Sequence, residues 1–434
     1  MKPLRKQGII LFTILALIMV ACGGSDTAEE TVEATPEVVE TLDSPAVTTA
    51  STVDTGVGVT SDPCPEVIGG IPTGADPSKG CIYLGLLNDY TGPFGPYGIP
   101  LETGQRGFWL WANQTGGVGD YSVAIVEGYD TQYNPQKHLE GYKAQRGEVA
   151  ALAMSLGTPQ TQFILDDMDA DNMIAAPMSW YSGWSYKGSD RGLVVEFGAA
   201  YCADGMNALD WAMANLPVDI KTVGVMGYAG DYGGDYAAGV TAAAEANGIT
   251  VAWEYIVPSS EFDVAQAVGL MVTKPVDAYF PAIGPTFMAQ VAGGAFQQGL
   301  TPIAMMAAPS YNDAFTAEGF ALAPLFQSGS MYLMAFVAPY EAQTPGHAAM
   351  RATLQAMGVD SGNLFLTAGW ASQHHLKGVL EAAVKGGDLT RAGIRRAAAN
   401  VSVSSDGMMP TRELGQDRAD AESFIGIPDE SQTS

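Results

Sequence analysis

Hydroxyl and aromatic side chains are frequent in the predicted loops of this chain, where they could bind a ligand. Gly157-Thr158-Pro159-Gln160-Thr161 follows one short apolar run, and Ser179-Trp180-Tyr181 follows the next. Hydroxyl groups can hold a carboxylate or carbonyl oxygen, while aromatic rings pack against the body of a small molecule. This combination predicts non-covalent binding of a small ligand.

Comparable loops recur later in the chain. An apolar run ending at Met226 leads to Tyr232, and later runs lead to Gly284-Pro285-Thr286 and to Pro309-Ser310-Tyr311, with Asp313 close behind. An earlier loop carries Tyr97. The candidate ligand-binding residues are Tyr97, Thr158, Pro159, Gln160, Ser179, Trp180, Tyr181, Tyr232, Thr286, Ser310, Tyr311 and Asp313.

The sequence lacks the motifs that would indicate catalysis or a metal. It has no G-x-S-x-G elbow, no Walker loop and no G-x-G-x-x-G turn. The acidic stretch 166–171 fails as a calcium loop, because Asn172 and Met178 stand where an EF-hand needs glycine and glutamate. His374-His375 has no ligand partner three or four residues away. We therefore expect no catalytic residue, no metal and no cofactor.

Composition narrows the class of protein. With 47% hydrophobic residues, 434 residues are enough for two or three domains with real cores. Twenty basic against 47 acidic residues give a net charge of −27, which argues against a nucleic-acid partner. Four cysteines are too few for a disulfide-dense scaffold.

Short apolar runs alternate with helical patterns after Cys81, which predicts an α/β fold with parallel sheets. The pattern occurs twice, over 82–197 and 222–307, and so suggests two similar Rossmann-like lobes. Predicted helices include one after the N-cap Asn134 and others over 236–246, 285–298, 348–357 and 371–383. The predicted strands are Ile82–Leu87, Tyr121–Glu127, Val149–Met154, Met173–Ala176, Leu193–Phe197, Thr222–Met226, Thr250–Tyr255 and Ala278–Ala282.

The N-terminus predicts export. Three basic residues precede an apolar run over 8–20, which is too short to span a bilayer. Met19-Val20-Ala21-Cys22-Gly23 resembles the end of a bacterial lipoprotein signal. The resemblance implies a signal peptide over 1–21 and lipidation of Cys22; a soluble signal peptide is the alternative.

A tether is expected to follow. Residues 22–78 contain no Lys or Arg, and most are Thr, Glu, Val, Ala and Ser, so we predict a disordered acidic tether there. Cys64 and Cys81 enclose a Pro- and Gly-rich segment, and outside the cell we expect them to form a disulfide.

The order of several motifs resembles a known family. Y-T-G-P-F-G-P-Y-G (90–98), T-G-G-V-G, Y-D-T-Q-Y-N-P, G-T-P-Q-T, M-I-A-A-P-M-S and V-G-V-M-G-Y-A-G-D-Y-G follow type I periplasmic binding proteins, most nearly the branched-chain amino-acid substrate-binding subunits of ABC importers. The resemblance covers roughly 82–410. It implies two α/β lobes joined by a three-stranded hinge that close on a ligand.

The resemblance also implies roles for individual residues. Tyr97 would pack on the ligand body, Thr158 would hold the ligand carboxylate, and Ser179 would make a second contact; Tyr232 would be the aromatic from the second lobe. Amino-acid binders of this family place an acidic residue after a late strand of the second lobe, where it receives the ligand's ammonium group. In this chain only Asp313 could serve, and it comes two or three residues later than that position. Branched-chain amino acids, amides, short organic acids and aromatic acids therefore all stay open as ligands.

The resemblance further implies a monomeric, non-enzymatic protein that delivers its solute to ABC transporter permease subunits. The expected location is exported and lipid-anchored, on the outer face of the cytoplasmic membrane or in the periplasm. A sensor ectodomain or an exported enzyme on the same fold are the alternatives. The expected lobes are 79–200 with 330–404 and 201–329 with 405–425, with a C-terminal tail over 426–434.

Overall fold

The computed structural model describes residues 53–185, 188–230, 232–414 and 422–426. The predicted signal peptide, Cys22, the tether up to residue 52 and residues 427–434 of the predicted tail lie outside these residues. Within the described part of the chain, no helix combines the length and hydropathy needed to cross a bilayer.

The first sheet is built around one nine-residue strand, which is almost wholly buried. Five other strands share this sheet, and all but the short β2 run parallel to the central β5 or its neighbour β8. The strands are β2 (Val59–Thr60), β5 (Gly80–Asn88), β6 (Tyr121–Ile125), β7 (Tyr129–Asp130), β8 (Ala151–Leu156) and β9 (Ala175–Met178).

The second sheet has the order β11-β10-β12-β13-β14-β18, with only the last pair antiparallel. Its strands are β10 (Thr222–Tyr228), β11 (Thr250–Val257), β12 (Ala278–Ala282), β13 (Ile303–Met306), β14 (Met331–Ala335) and β18 (Phe424–Gly426). Runs such as Ala278–Ala282 are buried on both faces, as expected of parallel strands covered by helices.

Short strands pair outside the two sheets: β1 with β15, β3 with β4 and β16 with β17. They are β1 (Asp54–Thr55), β3 (Val67–Ile68), β4 (Ile71–Pro72), β15 (Asp388–Leu389), β16 (Ser402–Val403) and β17 (Arg412–Glu413).

Helices follow most strands. Asn134 caps one of them, its side chain accepting from the amides of Gln136 and Lys137, as the sequence predicted. The helices are α1 (Gly95–Gln114), α2 (Pro135–Gln145), α3 (Thr158–Phe163), α4 (Leu165–Asp171), α5 (Tyr201–Asn215), α6 (Tyr232–Asn247), α7 (Val264–Thr273), α8 (Pro285–Gln297), α9 (Ala323–Gln327), α10 (Pro345–Ala356), α11 (Leu364–Lys385) and α12 (Arg391–Ala398).

Helices α1 and α11 pack unusually closely. A Cβ on Gly104 would lie 2.1 Å from the carbonyl oxygen of Leu366, and a Cβ on Gly369 would lie 2.1 Å from that of Leu101. Only glycine allows this reciprocal approach. It brings α11, from late in the chain, against the helix that follows the first long strand.

The architecture is the predicted α/β fold with two parallel-dominated sheets. We call the first sheet with α1–α4 and α10–α12 the first lobe, and the second sheet with α5–α9 the second lobe. The chain passes between the lobes before α5, after β14 and between β17 and β18. The last of these segments includes residues 415–421, which are not among the described residues.

The structure differs from the sequence expectations at three places. Leu193–Phe197 is not a strand, and only a single bridge joins Val194 to Ala175. Residues 331–335, expected in the first lobe, pair with β13 in the second sheet.

The third difference lies in the expected tether, whose part over 53–78 is ordered. It forms short strands, and β2 adds to the first sheet beside Cys81 and Ile82. Cys64 and Cys81 are joined by a disulfide, which ties this segment to β5. The folded part of the chain therefore begins well before residue 79.

Candidate functional site

A cavity opens where strands of both sheets end. Gly157 follows β8, Trp180 lies beyond β9, Tyr232 lies beyond β10 and Pro309 lies beyond β13. In open α/β sheets this edge is where ligands bind. The cavity is lined by Phe94, Tyr97, Leu101, Tyr133, Leu156, Gly157, Thr158, Met178, Trp180, Tyr201, Tyr232, Pro309 and Phe365.

Most of the lining comes from the first lobe, and we call this part the first wall. The ring of Tyr97 stacks on Phe365 with centroids 3.8 Å apart, and Phe94 packs on Tyr133 at 4.5 Å. The close approach of α1 and α11 is what brings Phe365 to Tyr97. Stacked and tilted aromatic pairs of this kind form a rigid, apolar surface for a ligand body.

A pair of hydroxyl groups supplies the polar part of the first wall. Thr158 Oγ1 lies 2.7 Å from Ser179 Oγ, and Ser179 Oγ accepts a hydrogen bond from Trp184 Nε1 at 2.9 Å. Thr158 begins α3 after Gly157, whose φ of +104° lies in the region that favours glycine. The turn thereby places a hydroxyl group at the cavity surface.

Trp180 contributes an indole to the first wall. It is 5% exposed and stacks on Phe336 with centroids 3.8 Å apart. Its Nε1–H has no hydrogen-bond partner among the described residues. An indole nitrogen is a donor only, so this buried group is suited to an acceptor atom on a ligand.

The second wall of the cavity consists of Tyr201, Tyr232 and Pro309. The rings of Tyr201 and Tyr232 are 5.3 Å apart, and Tyr232 meets Phe94 of the first wall edge-on at 6.3 Å. Both tyrosines lie at the starts of helices, α5 and α6, which places their rings beside the strand ends.

Hydrogen bonds between the lobes lie beside the cavity, among them one from the backbone N–H of Tyr201 to the carbonyl oxygen of Trp180 at 2.7 Å. Tyr97 OH donates to the carbonyl oxygen of Tyr311 at 2.6 Å. The backbone N–H and Oγ–H of Ser182 donate to the two carboxylate oxygens of Asp235, at 2.8 and 2.5 Å. We call the Ser182–Asp235 contact the latch. These contacts hold the two lobes against each other in this structure.

The carboxylates of Asp313 and Asp235 lie outside the lining of the cavity. No acidic or basic side chain of the described residues lines it. Asp313 is half-buried outside the lining, and burial raises its pKa to about 6. Burial also raises the pKa of Asp235, while the hydrogen bonds from Ser182 lower it. Among the described residues, the lining is therefore uncharged and mostly apolar.

The structure brings four predicted residues to the cavity: Tyr97, Thr158, Trp180 and Tyr232. Two more support it from behind, because Ser179 bonds to Thr158 and the Tyr311 backbone accepts from Tyr97. The other predicted residues are not among the described residues that line the cavity; they are Pro159, Gln160, Tyr181, Thr286, Ser310 and Asp313.

Physical reasons account for some of these absences. Ser310 Oγ bridges two strand ends, donating to the carbonyl oxygen of Pro281 and accepting from the amide of Ile283. Gln160 donates its amide to the carbonyl oxygen of Tyr133. Thr286 is exposed on α8, and Tyr181 packs edge-on against Trp184.

Sequence reasoning missed several lining residues. Phe94 and Tyr133 lie in loops after predicted strands, so their positions carried a usable signal. Phe365 and Tyr201 lie at helix starts far along the chain, and nothing local marks them. Their contribution depends on the tertiary packing of α11 and α5.

Comparison with known proteins identifies the family and the fold of this chain. The sequence model of a family described as "Periplasmic binding protein" matches residues 81–423. No curated protein sequence matches the chain.

Solved structures with the same fold include a fatty acid ABC transporter substrate-binding protein from Thermomonospora curvata. It has 24% identity and a TM-score of 0.76, over 88% of this chain and 92% of that one. A branched-chain amino acid ABC transporter protein from Thermus thermophilus with bound valine has 14% identity and a TM-score of 0.67, over 82% and 95%. A solute-binding protein from R. palustris in complex with 4-hydroxybenzoate has 15% identity and a TM-score of 0.65, over 81% and 99%.

Proposed function

This chain belongs to the periplasmic binding protein family, and we propose that it is the solute-binding component of an ABC importer. The cavity between two lobes carries the proposal, since a small molecule held there would be enclosed by both walls. The protein performs no chemistry in this proposal. It captures a solute, closes, and delivers it to separate permease subunits.

The proposed solute is a small acid with an apolar body and no ammonium group. Aromatic and aliphatic side chains favour an apolar body, and burying it contributes about 25 cal/mol per Å². Thr158 and Trp180 offer donors for a carboxylate. A charged ammonium would need a partner, and none of the described lining residues is acidic.

The similar structures point the same way for their own ligands. The Thermomonospora protein is named for fatty acids and the R. palustris protein is in complex with 4-hydroxybenzoate, and both compounds are acids without an ammonium group. The valine of the Thermus protein is the contrasting case. Among the ligand classes left open by the sequence, we therefore favour acids over amino acids for this chain.

We further propose that the protein is exported, anchored through a lipid on Cys22 and monomeric. The apolar run and Met19-Val20-Ala21-Cys22-Gly23 support the anchor. Residues 23–52 would then separate the folded part from the membrane. Mass spectrometry of the membrane-extracted N-terminal peptide tests this, because a diacylglyceryl group adds a defined mass to Cys22.

A thermal-shift screen tests the binding proposal. The chain from Gly23 onward is mixed with hexanoate, 4-hydroxybenzoate, 4-methylpentanoate, leucine, valine and acetamide. A ligand at 100 times its Kd adds about 2.7 kcal/mol, which raises Tm by several degrees. We expect shifts with the acids. Shifts confined to leucine and valine would overturn the ligand class, and no shift with any compound would contradict a small-acid binder.

A further inference from the structure

Trp184 lies behind the cavity rather than in it. It is 3% exposed, belongs to the 3-10 turn Ser182–Ser185, and does not line the cavity. Its indole Nε1–H donates to Ser179 Oγ at 2.9 Å. Because an indole nitrogen cannot accept, the direction of this hydrogen bond is fixed.

The fixed bond decides the direction of the next one. Ser179 Oγ and Thr158 Oγ1 are 2.7 Å apart, so one hydroxyl donates to the other. If Thr158 donated, the Ser179 hydrogen would need a third partner. The described residues offer none to Ser179 Oγ beyond Trp184 and Thr158. With Ser179 donating, every hydrogen of the pair except that of Thr158 is used.

The remaining hydrogen belongs to the residue at the cavity surface. Thr158 accepts from Ser179, so its own hydroxyl hydrogen is left to donate, and Thr158 is the member of the chain that lines the cavity. Bonds in such a chain polarise one another, which strengthens the terminal donor. The buried Nε1–H of Trp180 is a second donor in the same wall.

We propose that Trp184 is a positioning residue that orients the Ser179 and Thr158 hydroxyl groups, so that Thr158 offers a hydrogen-bond donor to the ligand. The cavity thereby selects ligands whose polar end is an acceptor. The inference rests on the proposed function for the identity of the site. The orientation itself depends only on the Trp184–Ser179–Thr158 geometry.

A ligand-free measurement tests the orientation directly. One of the seven tryptophan indole signals in a ¹⁵N NMR spectrum is assigned to Trp184 by its loss in Trp184→Phe. In Ser179→Ala the acceptor is gone, and we expect that signal to shift and its hydrogen exchange to accelerate at least tenfold. The Trp370 signal is the internal control. An unchanged Trp184 signal in Ser179→Ala would overturn the relay whether or not any ligand binds.

A binding measurement tests the consequence. For Trp184→Phe we expect calorimetry to give about fivefold weaker binding of 4-methylpentanoate, because its carboxylate can only accept hydrogen bonds. We expect less than a twofold change for 4-methylpentanol, whose hydroxyl both donates and accepts. Trp253→Phe is the matched control, since Trp253 Nε1 donates to Lys274 O far from the cavity, in the second lobe.

The two failures are distinguishable. Equal weakening of both ligands in Trp184→Phe, or no weakening of either, would contradict a positioning role. If wild-type protein binds neither compound, the proposed ligand class fails, and the NMR result alone decides the relay.

Discussion

The first wall of the cavity consists of stacked aromatics, aliphatic side chains and a hydroxyl pair, whereas the second wall consists of Tyr201, Tyr232 and Pro309. Behind the second wall, Asp204 is 1% exposed and Asp235 forms the latch. Beside the first wall, the fully buried carboxylate of Asp89 accepts hydrogen bonds from the amides of Gly92 and Phe94 and serves the loop rather than the contact between the lobes. The contrast separates two tasks. We propose that the first wall recognises the ligand and that the contacts of the second lobe hold the cleft closed.

Removing the Trp180 indole from the first wall should cause the largest loss of free energy among the predicted changes. Trp180 stacks on Phe336 at 3.8 Å and meets Phe197 and Tyr201 edge-on at 5.1 and 5.9 Å. For Trp180→Ala we expect a loss of about 3–5 kcal/mol in the free energy of unfolding, measured by urea denaturation. Trp180→Phe keeps a ring in place and serves as the control. A loss below about 1 kcal/mol would mean that this wall is not a rigid packed surface.

The carboxylates behind the second wall should make stability depend on pH. Burial raises the pKa of Asp204 to about 7, with Asp235 adding to the rise and the hydrogen bond from Ser423 opposing it. Below pH 4 both folded and unfolded chains hold this proton. Between pH 4 and 7 the folded chain alone holds it, so stability falls as pH rises.

The expected fall is on the order of 2–4 kcal/mol between pH 4 and 8. Thermal denaturation across this range measures it, with Asp204→Asn as the comparison, since the amide cannot ionise. The variant should flatten that part of the profile. An equally steep fall in Asp204→Asn would assign the pH dependence to other groups.

Breaking the latch should weaken binding without altering the first wall. In Asp235→Ala, Ser182 loses both acceptors, and a net loss of about 1.4 kcal/mol corresponds to tenfold weaker binding. Calorimetry with 4-methylpentanoate measures this. Thr241→Ala removes a side-chain hydrogen bond on the exposed side of the same helix and should leave affinity unchanged. Equal affinity in Asp235→Ala and wild type would show that the latch does not contribute to closure.

The smallest effect is expected from Tyr97→Phe. The substitution removes the hydrogen bond to Tyr311 O but leaves the ring on Phe365. Because only one bond between the lobes is lost, we expect about threefold weaker binding by calorimetry. A loss as large as that of Asp235→Ala would mean that the Tyr97 hydroxyl also contacts the ligand.

The sequence predicted those features that follow from periodicity and strand ends. Ala278–Ala282 was predicted with the bounds that the structure gives it, and Thr158 and Tyr232 were found because they follow buried strands. Leu193–Phe197 has the composition of a strand but makes a single bridge at the edge of the first sheet. Whether such a run pairs depends on its neighbours and not on its own residues.

The rest of the site depends on tertiary packing. Phe365 reaches Tyr97 only because Gly104 and Gly369 let α1 and α11 approach closely. Asp235, which accepts both hydrogen bonds from Ser182, belongs to the first turn of α6, and no local pattern links it to Ser182, which is 53 residues away. The resemblance to amino-acid binders directed attention to Asp313, which does not line the cavity among the described residues.

The most direct test of the account compares 4-methylpentanoate with leucine, which differs from it only by the α-ammonium group. Calorimetry on the chain from Gly23 onward should give at least tenfold tighter binding of 4-methylpentanoate, because the described lining has donors but no acid. Tighter binding of leucine would contradict the account. Asp313→Asn would then test whether the one acid that the sequence proposed receives the ammonium group.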